Sequence, residues 1–387
     1  MRPFRIDVDQ SSLDDLHRRL DATRWQPQLP GVGWERGVPR QYLEDLVQHW
    51  RTRFDWRAVE QRLNQFPQYV TGVDGVDVHF VHVRSPEPGA VPLVLTHGWP
   101  STFTEFLKVI GPLTDPARHG GDPRDAFHVV IPSLPGYGFS GAPREAGWDV
   151  RRVARAWAEL MRQLGYDRYV VQGGDWGAPI SLHLGLADPT HVAGVHVSML
   201  VTMPPADPSA LAALELDDED QARLAFAGRF EQDGAGWRKI QSTRPRTLGY
   251  ALTDSPVGQL AWLVEKYKEW SGATGAPEEA IDRDDLLAMA SIYWLTATAE
   301  SSAQLYYESN HRIEDFLRTW AGPWPLTMPA GVAYFPGDVV RPVRKLAEQI
   351  LPTLAHWTEF DRGGHFAALE QPELFVDDVR AFARILS

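Results

Sequence analysis

Tyr169-Val170-Val171-Gln172-Gly173-Gly174-Asp175-Trp176-Gly177 is the stretch whose reading decides the fold. Its β-branched run reads as a buried strand. The run breaks into small residues and turns into a helix near Ala178-Pro179. A small-x-nucleophile-x-small pattern after a strand forms an elbow that presents its central side chain at the apex of a sharp turn. The small residues are needed because backbone packs closely around that strained position. Here the apex is Asp175. A carboxylate cannot act as the serine of an esterase, but it can attack an electrophilic carbon and form an ester with it. Taken alone, the pentapeptide also reads as a strand end with an N-capping aspartate. The rest of the chain decides.

Strand and helix alternate on both sides of that stretch. Residues 68–73 and 76–83 flank Asp74-Gly75, a hairpin signal. His79 and His82 fall on opposite faces of their strand and read as ordinary strand histidines. Residues 91–96 form a buried strand running into His97-Gly98-Trp99-Pro100, and residues 127–132 form another. Residues 150–164 read as the helix before the elbow and 194–198 as the strand after it. From 201 to 325 the pattern is helical only. Strands return at 331–335, before Pro336-Gly337-Asp338, and at 355–360, before Arg362-Gly363-Gly364-His365-Phe366. Residues 1–70 look helical and show no strand alternation; Leu43, Leu46, Val47 and Trp50 make one apolar stripe. The order predicts an α/β-hydrolase fold: a mostly parallel, doubly wound sheet with an inserted helical lid and an N-terminal helical meander. The expected divisions are 1–70, the meander wrapping the core; 71–200, the first part of the core; 201–325, the lid; and 326–387, the second part of the core.

A length of 387 residues leaves room for one large domain with an insertion. The net charge of −13 argues against nucleic acid and against anionic membrane surfaces as partners. The absence of cysteine excludes disulfides, thiolate catalysis and thiolate-bound metals. The N-terminus has no apolar signal core, and no run of about 18 apolar residues appears, so we expect a cytoplasmic protein. Neither cofactor nor metal is expected. The expected partners are a small-molecule substrate and water, with a homodimer left open.

Asp175, Asp338 and His365 stand at strand ends in the chain order nucleophile, acid, histidine. Ligands bind beyond the carboxyl ends of parallel strands, where all three would converge. The chemistry needs each of the three. Asp175 attacks carbon, His365 takes a proton from the water that cleaves the ester, and Asp338 orients and stabilises the imidazole. The backbone N–H groups of Trp99 and Trp176 are the expected oxyanion donors. His97 reads as a buttress of the loop rather than a base.

With these residues in place the chain resembles the epoxide hydrolases that carry an N-terminal meander, the microsomal-type and fungal soluble branch. The resemblance spans nearly the whole chain. It is carried by Asp55-Trp56-Arg57, Leu63-Asn64-Gln65-Phe66-Pro67-Gln68, His97-Gly98-Trp99-Pro100, Gln172-Gly173-Gly174-Asp175-Trp176-Gly177, Gln241-Ser242-Thr243-Arg244-Pro245, Leu252-Thr253-Asp254-Ser255-Pro256-Val257-Gly258 and Arg362-Gly363-Gly364-His365-Phe366-Ala367-Ala368. It implies epoxide opening with Asp175 as nucleophile, His365 as base and Asp338 as its partner, and no membrane anchor. It also implies lid tyrosines that hydrogen-bond the epoxide oxygen. Tyr306 matches one of them, with its neighbour Tyr307 as the alternative. The other tyrosine is replaced by Trp237, whose indole N–H donates but does not transfer a proton. Trp237, Gln241, Trp176 and Tyr307 are the expected substrate contacts. A tryptophan at this position resembles bacterial members that open bulky aromatic epoxides in enediyne antibiotic biosynthesis.

Two other readings remain at this point. A dehalogenase on the same fold also uses an aspartate, with Trp176 and Trp237 as halide donors. A ligand-binding protein that had lost catalysis would keep the fold. An esterase is disfavoured, because Gly138-Phe139-Ser140-Gly141-Ala142 lacks the elbow spacing and follows the wrong strand.

Overall fold

The computed structural model describes residues 1–386. Its strands are β1 (Arg2–Phe4), β2 (Gln68–Val73), β3 (Val76–Val83), β4 (Val91–Thr96), β5 (Phe127–Pro132), β6 (Tyr169–Gly173), β7 (Val192–Val197), β8 (Ala330–Tyr334) and β9 (Leu354–Glu359). They form one sheet in the order β1-β2-β3-β5-β4-β6-β7-β8-β9. Pairing is antiparallel from β1 to β5 and parallel from there to β9. The chain leaves β4 toward β5 on one side and then returns to β6 on the other. The loops after β4 and β6 therefore meet at a topological switch point, where open α/β sheets bind ligands.

β2 and β3 join through Asp74 and Gly75, both at positive φ, as a tight hairpin of this sequence requires. Successive residues of the central strands face opposite ways, and both faces are covered. Leu93 and Leu95 belong to one buried cluster and Val94 to the other. The crossover helices α4 (Leu107–Thr114), α5 (Val150–Gln163) and α6 (Gly177–Ala187) supply that cover, with α15 (Arg344–Ile350), α16 (Ala367–Glu370) and α17 (Pro372–Ile385) after the insertion. The Asp378 carboxylate accepts from Nε2 of His196 and of His356, each at 2.8 Å, and so clips α17 to β7 and β9.

The insertion between β7 and β8 is helical. It comprises α7 (Pro208–Ala212), α8 (Asp218–Arg229), α9 (Gly236–Thr243), α10 (Pro245–Asp254), α11 (Pro256–Trp270), α12 (Arg283–Leu295), α13 (Ala299–Asn310) and α14 (Ile313–Trp320). Ahead of the sheet lie α1 (Gln10–Asp21), α2 (Arg40–Thr52) and α3 (Trp56–Leu63). Trp50 of α2 is 1% exposed, and its indole donates to Ser291 Oγ of α12 at 3.0 Å, so this segment is anchored to the insertion.

The first seventy residues differ from expectation at one point. β1 is a strand, not part of a helical stretch, and it pairs with β2 through Arg2↔Val70 and Phe4↔Gln68. Three residues are too few to show alternation, so only the pairing reveals it. β7 begins two residues before the expected 194.

Candidate active site

Asp175 has φ +46°, a strained conformation for a residue with a side chain. The strain is held by close backbone packing. A Cβ on Gly177 would lie 1.9 Å from Thr96 O, so β4 and the start of α6 could not approach as they do. Gly98 is equally constrained, since a Cβ there would lie 2.1 Å from Asp175 Oδ1. That proximity lets the Trp99 N–H donate to Asp175 Oδ1 at 2.7 Å. The loop carrying Trp99 is braced from the insertion: Tyr267 Oη donates to Pro100 O at 2.8 Å and Tyr293 Oη to Ser101 O at 2.9 Å. His97 supports the same loop from below. Its Nδ1 contacts Gly98 O at 3.0 Å and its Nε2 accepts from the Leu134 N–H at 3.2 Å. Burial pushes its pKa down to about 4, so the ring stays neutral.

His365 Nδ1 donates to Asp338 Oδ1 at 2.9 Å, and its Nε2 lies 3.3 Å from Asp175 Oδ2. Asp338 is itself fixed by the Val340 N–H at 3.2 Å. Burial opposes a charge on His365. The carboxylates of Asp338 and Asp175 outweigh it and hold the imidazole pKa well above its ordinary value.

Tyr306 lies across from the elbow on α13. Its ring stands edge-on to Trp176 at 4.6 Å and to Trp237 at 5.4 Å. Its hydroxyl is buried beside the Trp176 indole N–H, and its own proton finds no acceptor among the described residues. Burial, reinforced by the charge of Asp175, keeps the phenol protonated. The loop after β5 positions α13: Tyr137 Oη donates to Ser302 O at 3.0 Å, and Ser301 Oγ to Gly136 O at 2.6 Å. Trp237 stacks on Trp99 at 4.9 Å and an interplanar angle of 13°, its indole N–H also unpartnered.

Asp175, Trp176, Trp237, Tyr306 and His365 line one cavity of about 170 Å³, with Asp338 directly behind His365. Two expected substrate contacts lie elsewhere. Tyr307 is 38% exposed and packs on His311, because helix neighbours point about 100° apart and Tyr306 takes the inward direction. Gln241 is buried outside the cavity lining, where its carbonyl accepts from the Trp262 indole at 2.9 Å.

Other residues at the site were not anticipated. Trp270 forms a wall, and its carbonyl accepts the His365 N–H at 2.8 Å. It extends the apolar stripe of α11 by one further step of three from Tyr267, a spacing visible in the sequence. Glu370 accepts from the Phe366 N–H at 3.0 Å and the Gly272 N–H at 2.9 Å, clamping the His365 loop to the end of α11. No local pattern marks that role.

Fold and elbow together define a protein of the α/β-hydrolase class. Residues 1–106 match the family model described as epoxide hydrolase N terminus, and residues 91–239 the one for the alpha/beta hydrolase fold. A Stigmatella aurantiaca protein provisionally named an epoxide hydrolase is 48% identical over 99% of this chain and 85% of its own. Epoxide hydrolase 1 of Sus scrofa is 34% identical over 100% of this chain and 89% of its own. The crystal structure of juvenile hormone epoxide hydrolase from the silkworm Bombyx mori superposes with a TM-score of 0.90. It is 30% identical, covering 100% of this chain and 94% of that one. The chain belongs to the epoxide hydrolase family. Among the described residues no helix is long and apolar enough to cross a membrane.

Proposed function

We propose that Asp175 opens the epoxide by forming an ester, which His365-activated water then hydrolyses to a vicinal diol. Asp175 Oδ2 attacks one epoxide carbon, the carbon–oxygen bond breaks, and its electron pair passes to the ring oxygen. Tyr306, protonated and with no acceptor for its own O–H, gives its proton to that oxygen as charge develops. Esterification removes the charge on Asp175, one of the interactions raising the His365 pKa, and so favours the neutral ring that can act as base. His365 Nε2 then takes a proton from water as the oxygen adds to the Asp175 carboxyl carbon. The oxyanion falls to the N–H of Trp99, already directed at Oδ1, and to that of Trp176. Collapse breaks the bond from the carboxyl carbon to the product oxygen, which takes the proton held by His365; the second water proton, left on the carboxyl, replaces the one Tyr306 gave up, so the diol leaves and carboxylate, imidazole and phenol are restored.

The observation that carries this reading is the single contact line from Asp338 through His365 to Asp175, at 2.9 and 3.3 Å. Residues 201–325 act as the lid, since they supply Trp237, Trp270 and Tyr306 to the cavity. The aromatic walls suit a bulky aromatic epoxide. A His365→Gln variant incubated with styrene oxide should retain the substrate's mass on the Asp175 peptide. An unmodified peptide from a variant that still binds the epoxide would contradict the ester route.

A further inference from the structure

The same cavity has a second charged group in its wall, on the segment that follows β8. Arg341 lies in its wall, three residues after Asp338, with its guanidinium carbon 3.7 Å from the centre of the Phe226 ring. Its Nε is buried and makes no hydrogen bond, and no carboxylate of the described residues lies within 4.0 Å of it. Other arginines nearby are neutralised. Arg238, also in the wall, pairs with Glu231, and Arg223 pairs with Glu359 and Glu219.

The hydrogen-bonding groups of the wall show the same imbalance. Arg341 Nε, Asn310 Nδ2, the Tyr306 O–H and the indoles of Trp237 and Trp270 are all donors without a protein acceptor. The acceptors are in use: Asn310 Oδ1 takes the Trp320 indole at 2.9 Å, Thr202 Oγ1 takes the Val343 N–H at 3.0 Å, and Glu231 takes Arg238. A partly buried guanidinium without a counterion is costly, and a ligand that brings one recovers that cost. Its planar fork fits a carboxylate. Asp175 repels an anion at the elbow, so a charged substrate is driven to bind with its acid at Arg341 and its epoxide at the nucleophile.

We propose that the enzyme's preferred substrates are aromatic epoxides bearing a carboxylate at the end remote from the epoxide, bound by Arg341; this rests on the epoxide reading above. The test uses styrene oxides with a para carboxylate, carboxymethyl or carboxyethyl group, each compared with its own methyl ester. At least one acid should exceed its ester in kcat/KM by about tenfold, mainly through KM, as a charged hydrogen bond warrants. Arg341→Gln should abolish that ratio and Arg341→Lys should keep part of it. Wild-type enzyme that prefers every ester, or a ratio that survives Arg341→Gln, overturns the proposal. Binding of the corresponding 4-ethylphenyl acids, followed by tryptophan fluorescence, reads the anion contact without chemistry. Acids that bind more tightly than their esters while no epoxide yields diol would sink the epoxide reading and leave the anion contact standing. Acids that bind no more tightly than their esters would overturn the contact itself.

Discussion

At the level of single residues, the site rests on convergence. Asp175, Asp338 and His365 are far apart in the chain, yet each follows a parallel strand, and parallel strands carry their ends to one edge. That is why all three were legible in the sequence. Tyr306 was legible only to within one position, because the motif does not set helix rotation; packing turns Tyr306 inward and Tyr307 out. Gln241 shares a helix face with Trp237, but it stands outside the cavity lining, with its carbonyl oxygen taken by the Trp262 indole. Arg341 carries no local signal, since its significance lies in the missing partner. Trp237 is stacked on Trp99 and set edge-on to Tyr306, so replacing the indole alters the wall opposite the nucleophile. Trp237→Tyr is expected to change which epoxide carbon Asp175 attacks, read from the regiochemistry of the diol. An unchanged product distribution would remove Trp237 from that role.

Among the elements, the contacts that matter run between the sheet and the insertion. Tyr267 and Tyr293 brace the loop after β4, and Glu370 clamps the His365 loop to the segment following α11. These contacts join residues distant in sequence, so periodicity finds the helices but not what they hold. Burial pushes the Glu370 carboxyl up to about 7 from an ordinary 4.5. Below pH 4.5 it is protonated in the folded and unfolded chains alike, and no stability is lost. Between pH 4.5 and about 7 the unfolded chain gives up this proton while the folded chain keeps it, so stability falls across that window and stays at the lower level above it. Glu370→Gln removes this term. Relative to wild type it should therefore gain about 2–3 kcal/mol between pH 5 and pH 8.5 in urea denaturation. A constant difference across that range would show that Glu370 titrates normally.

Over the whole molecule, the N-terminal helices, the insertion and the sheet depend on one another. Trp50 of α2 bonds to α12, and α12 carries Tyr293 to the loop that holds Trp99. The apolar stripe of α2 was evident from spacing, but its partner was not, because a stripe shows which face is buried and not against what. β1 escaped notice because its identity depends on pairing with β2. Trp50→Ala should cost about 3–5 kcal/mol of stability, the usual range for emptying a large aromatic site. It should also lower kcat by loosening the oxyanion loop some distance away. Loss of stability with kcat unchanged in the folded fraction would break that chain of contacts at α12.

The central claim is that Asp175 becomes covalently attached to substrate, and a single turnover of the wild-type enzyme with an epoxide in heavy-oxygen water tests it directly. Hydrolysis of an ester leaves the oxygen from water in the Asp175 carboxylate and sends an enzyme oxygen out in the diol. Mass spectrometry should therefore find label in the Asp175 peptide and an unlabelled diol. A labelled diol with an unlabelled Asp175 would mean that water attacks the epoxide directly, and would contradict the account.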